Sequence, residues 1–393
     1  MRWTLASTGN VPDLRSGGPA APTRQVPALD GIRGLAIIWV ILHNATDEVF
    51  DPPHGLVRLL GLFTHTGWIG VQLFFALSGF LITAGLLETQ GAAHYFRNFY
   101  AKRALRILPL YYTVLLVLLV ILPRIVTLHA PFSNDQQASL WLFTINWTHT
   151  APYGFAHFWS LAVEEQFYLV WPLVVCWLPP RRVLTVCLWT AAGALLLRCA
   201  MAAHGADWWA LYTATPCRMD ALALGGVGAC VMLLPSLREG LKSRLTAVSV
   251  TALLVFLAGI PLTHTYDRTG LMGETLGYSL LALCSAAFVT TTALGDGRGW
   301  IQALLSWRPL RSCGIYSYAM YIFHGLLHKL VGEPWLYARY GEHLPARIVF
   351  FYAPVLILVS YLLAFCSYHL FEKHFLRLKR YFDPTPSRVP ASS

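Results

Sequence analysis

The chain has 393 residues, of which 56% are hydrophobic and only 12% charged, against about 25% charged in an average soluble protein. Apolar runs recur along its whole length, which excludes a string of soluble domains and points to an all-α, polytopic integral membrane protein. The formal net charge of +10 falls in short loops between apolar runs, a pattern of membrane topology that argues against nucleic acid as a partner.

Residues 1–27 are rich in Pro, Gly, Ala, Ser and Thr with three arginines, and read as a disordered cytoplasmic tail without the apolar core of a signal peptide. Ten apolar segments follow, near 29–48, 66–87, 105–123, 156–178, 183–203, 216–235, 246–263, 273–294, 313–331 and 346–370. Each approaches the roughly 20 residues that a membrane-crossing helix needs. Residues 28–371 are therefore expected to form one ten-helix membrane domain, with 372–393 as a basic cytoplasmic tail. With the N-terminus inside, the inner segments hold 21 of the 29 lysines and arginines, which predicts that both termini are cytoplasmic.

The first segment carries Asp30 and Arg33 at one end and His43 and Asp47 at the other. A charge inside a spanning helix costs roughly 2.5–3.5 kcal/mol on insertion scales, so such residues mark function unless they sit at the interface or pack against a partner. In the second segment Gly67, Gly70, Ser78 and Gly79 let helices approach closely, and the Ser-Gly pair reads as packing. Just ahead of the third, Arg103 and Arg106 are three apart and so share a helix face. Two guanidiniums so placed can grip a phosphate; by itself the pair also suits anionic lipid headgroups.

The stretch HFWSLAVEEQFYLVWPL, 157–173, puts Glu164 and Glu165 in an apolar run, with His157 and Ser160 within two turns. A carboxylate there must form an interhelical ion pair, for which Arg33 and Arg218 are the candidate partners, lie in a wet cavity, or be protonated. Further on, Arg198 and the Arg218/Asp220 pair lie near the outer ends of their segments, while the seventh and eighth segments look like scaffold. In the ninth, Tyr318, Tyr321, His324 and His328 form a rough polar stripe that suits a cavity wall or an aromatic belt. The eight cysteines form no C-x-x-C pair and no zinc-like spacing with histidine, so neither a metal nor a disulfide framework is expected.

Five stretches together resemble the membrane acyltransferase 3 family: LDGIRGLA ahead of His43, GVQLFFALSGFLIT at 70–83, KRALRILP at 102–109, FWSLAVEEQFY at 158–168 and YSYAMYIFH at 316–324. The resemblance implies a ten-helix fold and transfer of an acyl group, usually acetyl, from cytoplasmic acyl-CoA to a hydroxyl of a carbohydrate or glycosylated small molecule. The bacterial inner membrane, with its lipids as surroundings, is the implied location. Some members carry a C-terminal hydrolase-like domain; with only residues 372–393 after the last segment, this chain is expected to lack one.

The resemblance also assigns roles. His43 is the natural general base, since imidazole titrates near neutrality. Asp47, four residues on, is placed to orient its ring. Glu164 is the catalytic carboxylate within the family stretch. Arg33, Arg103 and Arg106 become candidates for acyl-CoA, and His157, Ser160, Tyr321 and His324 for the acceptor. Arg33 and His43 stand one residue closer than the family pattern has them. Ten helical steps leave two side chains roughly 80° apart, where eleven bring them within about 20°. A transporter that uses the same buried charges to hold a sugar or an anion is the alternative reading.

Overall fold

The structure, a computed structural model, describes residues 4–6, 23–46, 61, 63–125, 132–148, 152–259, 269–295, 297–341 and 346–383. Thr4–Ala6 (β1) and Thr23–Gln25 (β2) pair antiparallel ahead of the first helix. The other regular elements among the described residues are helical. The longer ones are α1 (Pro27–Thr46), α2 (Ile69–Glu88), α3 (Tyr95–Leu115), α4 (Trp159–Trp177) and α5 (Pro180–Ala203). They are followed by α6 (Thr215–Leu233), α7 (Leu245–Gly259), α8 (Tyr278–Leu294), α9 (Arg308–Leu327) and α10 (Ala346–Ser367).

Among the described residues, 7 helical stretches are long and apolar enough to cross a membrane. They hold α1, α2, α3, α5, α6, α8 and α10; Pro235–Ser243 with the body of α7 makes an eighth if that pair, bent by 70°, is one span. Helices α4 and α9 fall short of that standard, and their sequences say why. Helix α4 carries Glu164, Glu165 and Gln166, and α9 carries Arg308, Arg311, His324 and three tyrosines. A run that departs from apolar composition inside a helical bundle needs a polar lining to face.

Glycines set how closely the central helices meet. A Cβ at Gly314 of α9 would overlap the Asp30 carbonyl oxygen of α1, and one at Gly34 would overlap the Leu310 carbonyl oxygen. Helix α2 meets α6 in the same way, with Gly79 against the Leu222 carbonyl and Gly225 against that of Ala76. Close backbone approach through small residues is the general mode of helix association in lipid. Trp189 on α5 and Phe351 on α10 are exposed on the outside of the bundle, where a bilayer would cover them.

A buried ion pair ties α5 to α6. Arg198 donates to Asp220 at 2.7 Å, and both side chains are fully buried. Ser279 accepts from Arg198 and donates to Asp220, and Arg198 also donates to the Cys217 carbonyl. Desolvated charges are tolerable when each has its partner and further hydrogen bonds.

Candidate active site

Helices α1, α2, α3, α4 and α9 enclose a cavity of about 120 Å³. Its wall carries Arg33, Arg103 and Arg106, the carboxyl of Glu164, and the hydroxyls of Ser78, Ser160, Tyr168, Tyr318 and Tyr321. Arg103 and Arg106 reach it together, as their three-residue spacing on α3 requires. The Arg103 guanidinium lies over the Tyr168 ring, 4.6 Å from its centroid. Arg106 donates to the Ile315 carbonyl and lies 3.9 Å from Glu372. Arg33 pairs with Asp30 one turn earlier, at 3.2 Å.

Glu164 accepts a hydrogen bond from Tyr168 Oη at 3.0 Å, and the same phenol bonds to Ser78. Glu165 is not on the wall. Adjacent residues of a helix point about 100° apart, so only one of the two can face the cavity squarely. The wall itself presents three guanidiniums and one carboxyl, with Asp30 beside Arg33 and Glu372 beside Arg106 outside the lining, and guanidiniums so gathered suit an anionic ligand.

A second cavity, of about 130 Å³, is lined by His43 and Asn44 of α1 with His157 and a set of aromatic rings. The rings are Trp68, Trp159, Trp208, Trp209, Tyr212 and Tyr321. Both cavities share Val71 and Tyr321 as lining residues, so the two chambers meet at that wall. Tyr321 Oη donates to the His157 carbonyl at 2.7 Å and bonds to Ser160 Oγ at 2.6 Å, which fixes the phenol in the partition. His43 is 2% exposed. Gly67 lets its helical turn lie on α1 beside it: a Cβ there would come within 2.6 Å of His43 Cβ.

The site residues expected from the sequence thus separate into groups. Arg33, Arg103, Arg106, Glu164, Ser160 and Tyr321 line the first cavity, and His43, His157 and Tyr321 the second. His324 stands outside both linings, bonded to Asn44 and to the carbonyl of Tyr321. Asp47 lies outside the described residues. Sequence reasoning took Ser78 for a packing residue and passed over Tyr168 and Asn44. Gly79 packs as expected, but its neighbour Ser78 faces the cavity rather than a packing seam.

Arg218 was also passed over as anything but an ion-pair partner. It is fully buried, and its guanidinium lies 4.6 Å from the Tyr278 centroid, 5.1 Å from Tyr212, 5.6 Å from Trp159 and 5.8 Å from Phe75. No acceptor among the described residues takes its N–H groups; the ring faces, which attract a desolvated cation, stand in their place. Two of those rings, Trp159 and Tyr212, are walls of the second cavity.

The description "Acyltransferase domain" belongs to the family that matches residues 26–366 of the chain. The protein belongs to the acyltransferase 3 family. Every lining residue of both cavities lies inside the matched acyltransferase 3 span. The chain is similar to YrhL of Bacillus subtilis, 28% identical over 381 residues that cover 89% of this chain and 55% of that protein. It is also similar to the peptidoglycan O-acetyltransferase OatA of Listeria monocytogenes, 26% identical over 77% of this chain and 49% of the relative. The O-acetyltransferase OatA of Staphylococcus aureus is 24% identical over 77% of this chain and 50% of its own. The chain spans about half the length of these curated relatives. No solved structure matches it.

Proposed function

We propose that this protein is an integral-membrane O-acyltransferase that moves an acyl group, acetyl in the first instance, from acyl-CoA to a hydroxyl of a carbohydrate. The observation that carries the reading is the pair of cavities meeting at Tyr321, one lined by three arginines and the other holding His43. Acyl-CoA is a phosphate-bearing donor, and an arginine-lined chamber matches it. The names of the relatives, all three given as O-acetyltransferases and two of them as peptidoglycan O-acetyltransferases, support a polysaccharide acceptor.

In this reading His43 takes the proton of the acceptor hydroxyl as its oxygen attacks the thioester carbonyl. A C–O bond forms, the C–S bond breaks, and the CoA thiolate leaves with the proton that the imidazolium returns. General-base help of this kind is worth roughly 10²–10⁴-fold. Arg33, Arg103 and Arg106 hold donor phosphates or developing negative charge, and Glu164, tied to Tyr168, balances them. Asp47 orients His43. His157 and His324 act at the acceptor side, and Ser160, bonded to Tyr321, stands with it at the partition between the two chambers.

The topology of the proposal is ten crossings of a bacterial inner membrane with both termini in the cytoplasm. Helices α4 and α9 then cross as polar-lined members of the bundle. The C-terminal segment lies at the arginine end of α3: Lys102 pairs with Asp383 at 2.8 Å and Arg106 approaches Glu372. The arginines thus lie on the side of the chain's end, where cytoplasmic acyl-CoA would arrive.

The test is to incubate the purified protein with acetyl-labelled acetyl-CoA and a panel of soluble glycosides. Label appearing in an ester of one glycoside is the expected result. Absence of both acyl-CoA binding and transfer would overturn the reading.

A further inference from the structure

Asn44 stands beside His43 on α1 and lines the aromatic cavity, and its amide is held in one orientation by two fixed partners. Its Nδ2 lies 3.1 Å from the Val40 carbonyl oxygen and 3.0 Å from His324 Nε2. A carbonyl oxygen only accepts, so the atom facing Val40 is the NH₂ group.

The ring of His324 agrees with this. Its Nδ1 lies 2.7 Å from the Tyr321 carbonyl and 3.2 Å from that of Met320, so Nδ1 carries the hydrogen. The neutral ring then has an Nε2 lone pair, which accepts the second N–H of Asn44. His324 is fully buried, and the hydrogen-bond pattern leaves no room for the opposite tautomer. Both donors of Asn44 are thereby used, and its Oδ1 has no partner among the described residues.

We infer that Asn44 Oδ1 is the hydrogen-bond acceptor that reads a hydroxyl of the acyl acceptor, with His324 as the positioning residue that fixes it. The inference rests on the acyltransferase reading and deepens it by naming the acceptor subsite. The second cavity supplies flat indole and phenol faces, a base in His43 and a directed acceptor in Asn44. That combination recognises a single sugar ring: its C–H faces lie on aromatics, and one hydroxyl donates to Asn44 while a neighbouring one is acylated. A site built to hydrogen-bond a hydroxyl discriminates against the analogue that lacks it, because the buried polar group is then left unpaired.

The experiment uses the full chain, purified, with labelled acetyl-CoA as donor. The acceptor probes are the methyl glycosides of glucose, galactose and N-acetylglucosamine with their monodeoxy analogues. The expected result for wild type is transfer to at least one glycoside and about tenfold weaker use of one monodeoxy analogue. Asn44→Ala is expected to raise the acceptor KM about tenfold, abolish that discrimination and leave the acetyl-CoA KM unchanged.

His324→Ala is expected to show the same KM pattern. His324→Gln, whose amide oxygen can accept from Asn44, is expected to restore part of the discrimination, a rescue that a mere packing role would not give. Wild type that transfers but treats all deoxy analogues alike, or an Asn44→Ala variant that keeps the discrimination, would overturn the assignment. Wild type that transfers to none of the glycosides overturns the sugar-ring subsite, and if it also fails to bind acetyl-CoA the enzyme reading falls with it.

Discussion

Arg33 and His43 stand on the same helix yet line different cavities, Arg33 the arginine chamber and His43 the aromatic one. Ten residues of α-helix separate them by about 15 Å along the axis and turn them by roughly 80°. Their spacing therefore serves two chambers rather than one surface. The turn carrying Gly67 supports this arrangement, because it lies so close to His43 that a side chain there must push α1 or the imidazole aside. Gly67→Ala is expected to lower kcat at least about tenfold with the acetyl-CoA KM little changed, since small misplacements of catalytic groups cost rate out of proportion. Steady-state kinetics on the purified variant checks this.

Tyr321 is the partition. Its hydroxyl ties α9 to the His157 carbonyl and to Ser160. Tyr321→Phe removes both bonds while keeping the ring. The expected outcome is a loss of about 1–3 kcal/mol of transition-state stabilisation from unpaired buried groups, read as lower kcat/KM for the glycoside. Acetyl-CoA binding should be unchanged in equilibrium dialysis.

The Arg218 cage predicts an acceptor-side defect. Arg218→Met removes the cation that Trp159, Tyr212 and Tyr278 surround, and each such contact is worth about 0.5–2 kcal/mol. The variant should use glycosides with a raised KM, and tryptophan fluorescence should report a more mobile cavity wall. Donor binding, in the other chamber, should stay as in wild type.

The Arg198–Asp220 pair is a matter of stability. Asp220→Ala leaves a buried guanidinium without its carboxylate and is expected to cost about 3–5 kcal/mol. The check is the thermal unfolding midpoint in detergent, with Asp220→Asn, which keeps hydrogen bonding to Arg198 and Ser279, falling between the two.

Much of the arginine-lined chamber was legible in the sequence. Arg103 and Arg106 share a face by spacing alone, and Glu164 announces itself as a carboxyl in an apolar run. Ser78 was not legible, because a serine beside a glycine in a membrane segment carries the same signal whether it packs or lines a cavity. The Asn44–His324 bond spans 280 residues of sequence, and no local periodicity reports a contact of that range. The aromatic chamber draws Trp68, Trp159 and Trp208 from three separate parts of the chain, so each ring read alone is an ordinary apolar residue. Helix placement was easier: a run of apolar residues declares itself, whereas the polar linings of α4 and α9 lower the very hydropathy by which a span is recognised.

The division of labour between the chambers is tested most directly by measuring acyl-CoA affinity and acyl transfer on the same purified variants. Arg103→Ala and Arg106→Ala should weaken binding of a non-hydrolysable acetyl-CoA analogue about tenfold or more, as loss of a charge-assisted contact does. His43→Ala should bind the analogue like wild type while losing transfer by roughly 10²–10⁴-fold. Transfer that survives His43→Ala at the wild-type rate, or arginine variants that bind the analogue undiminished, would contradict the account.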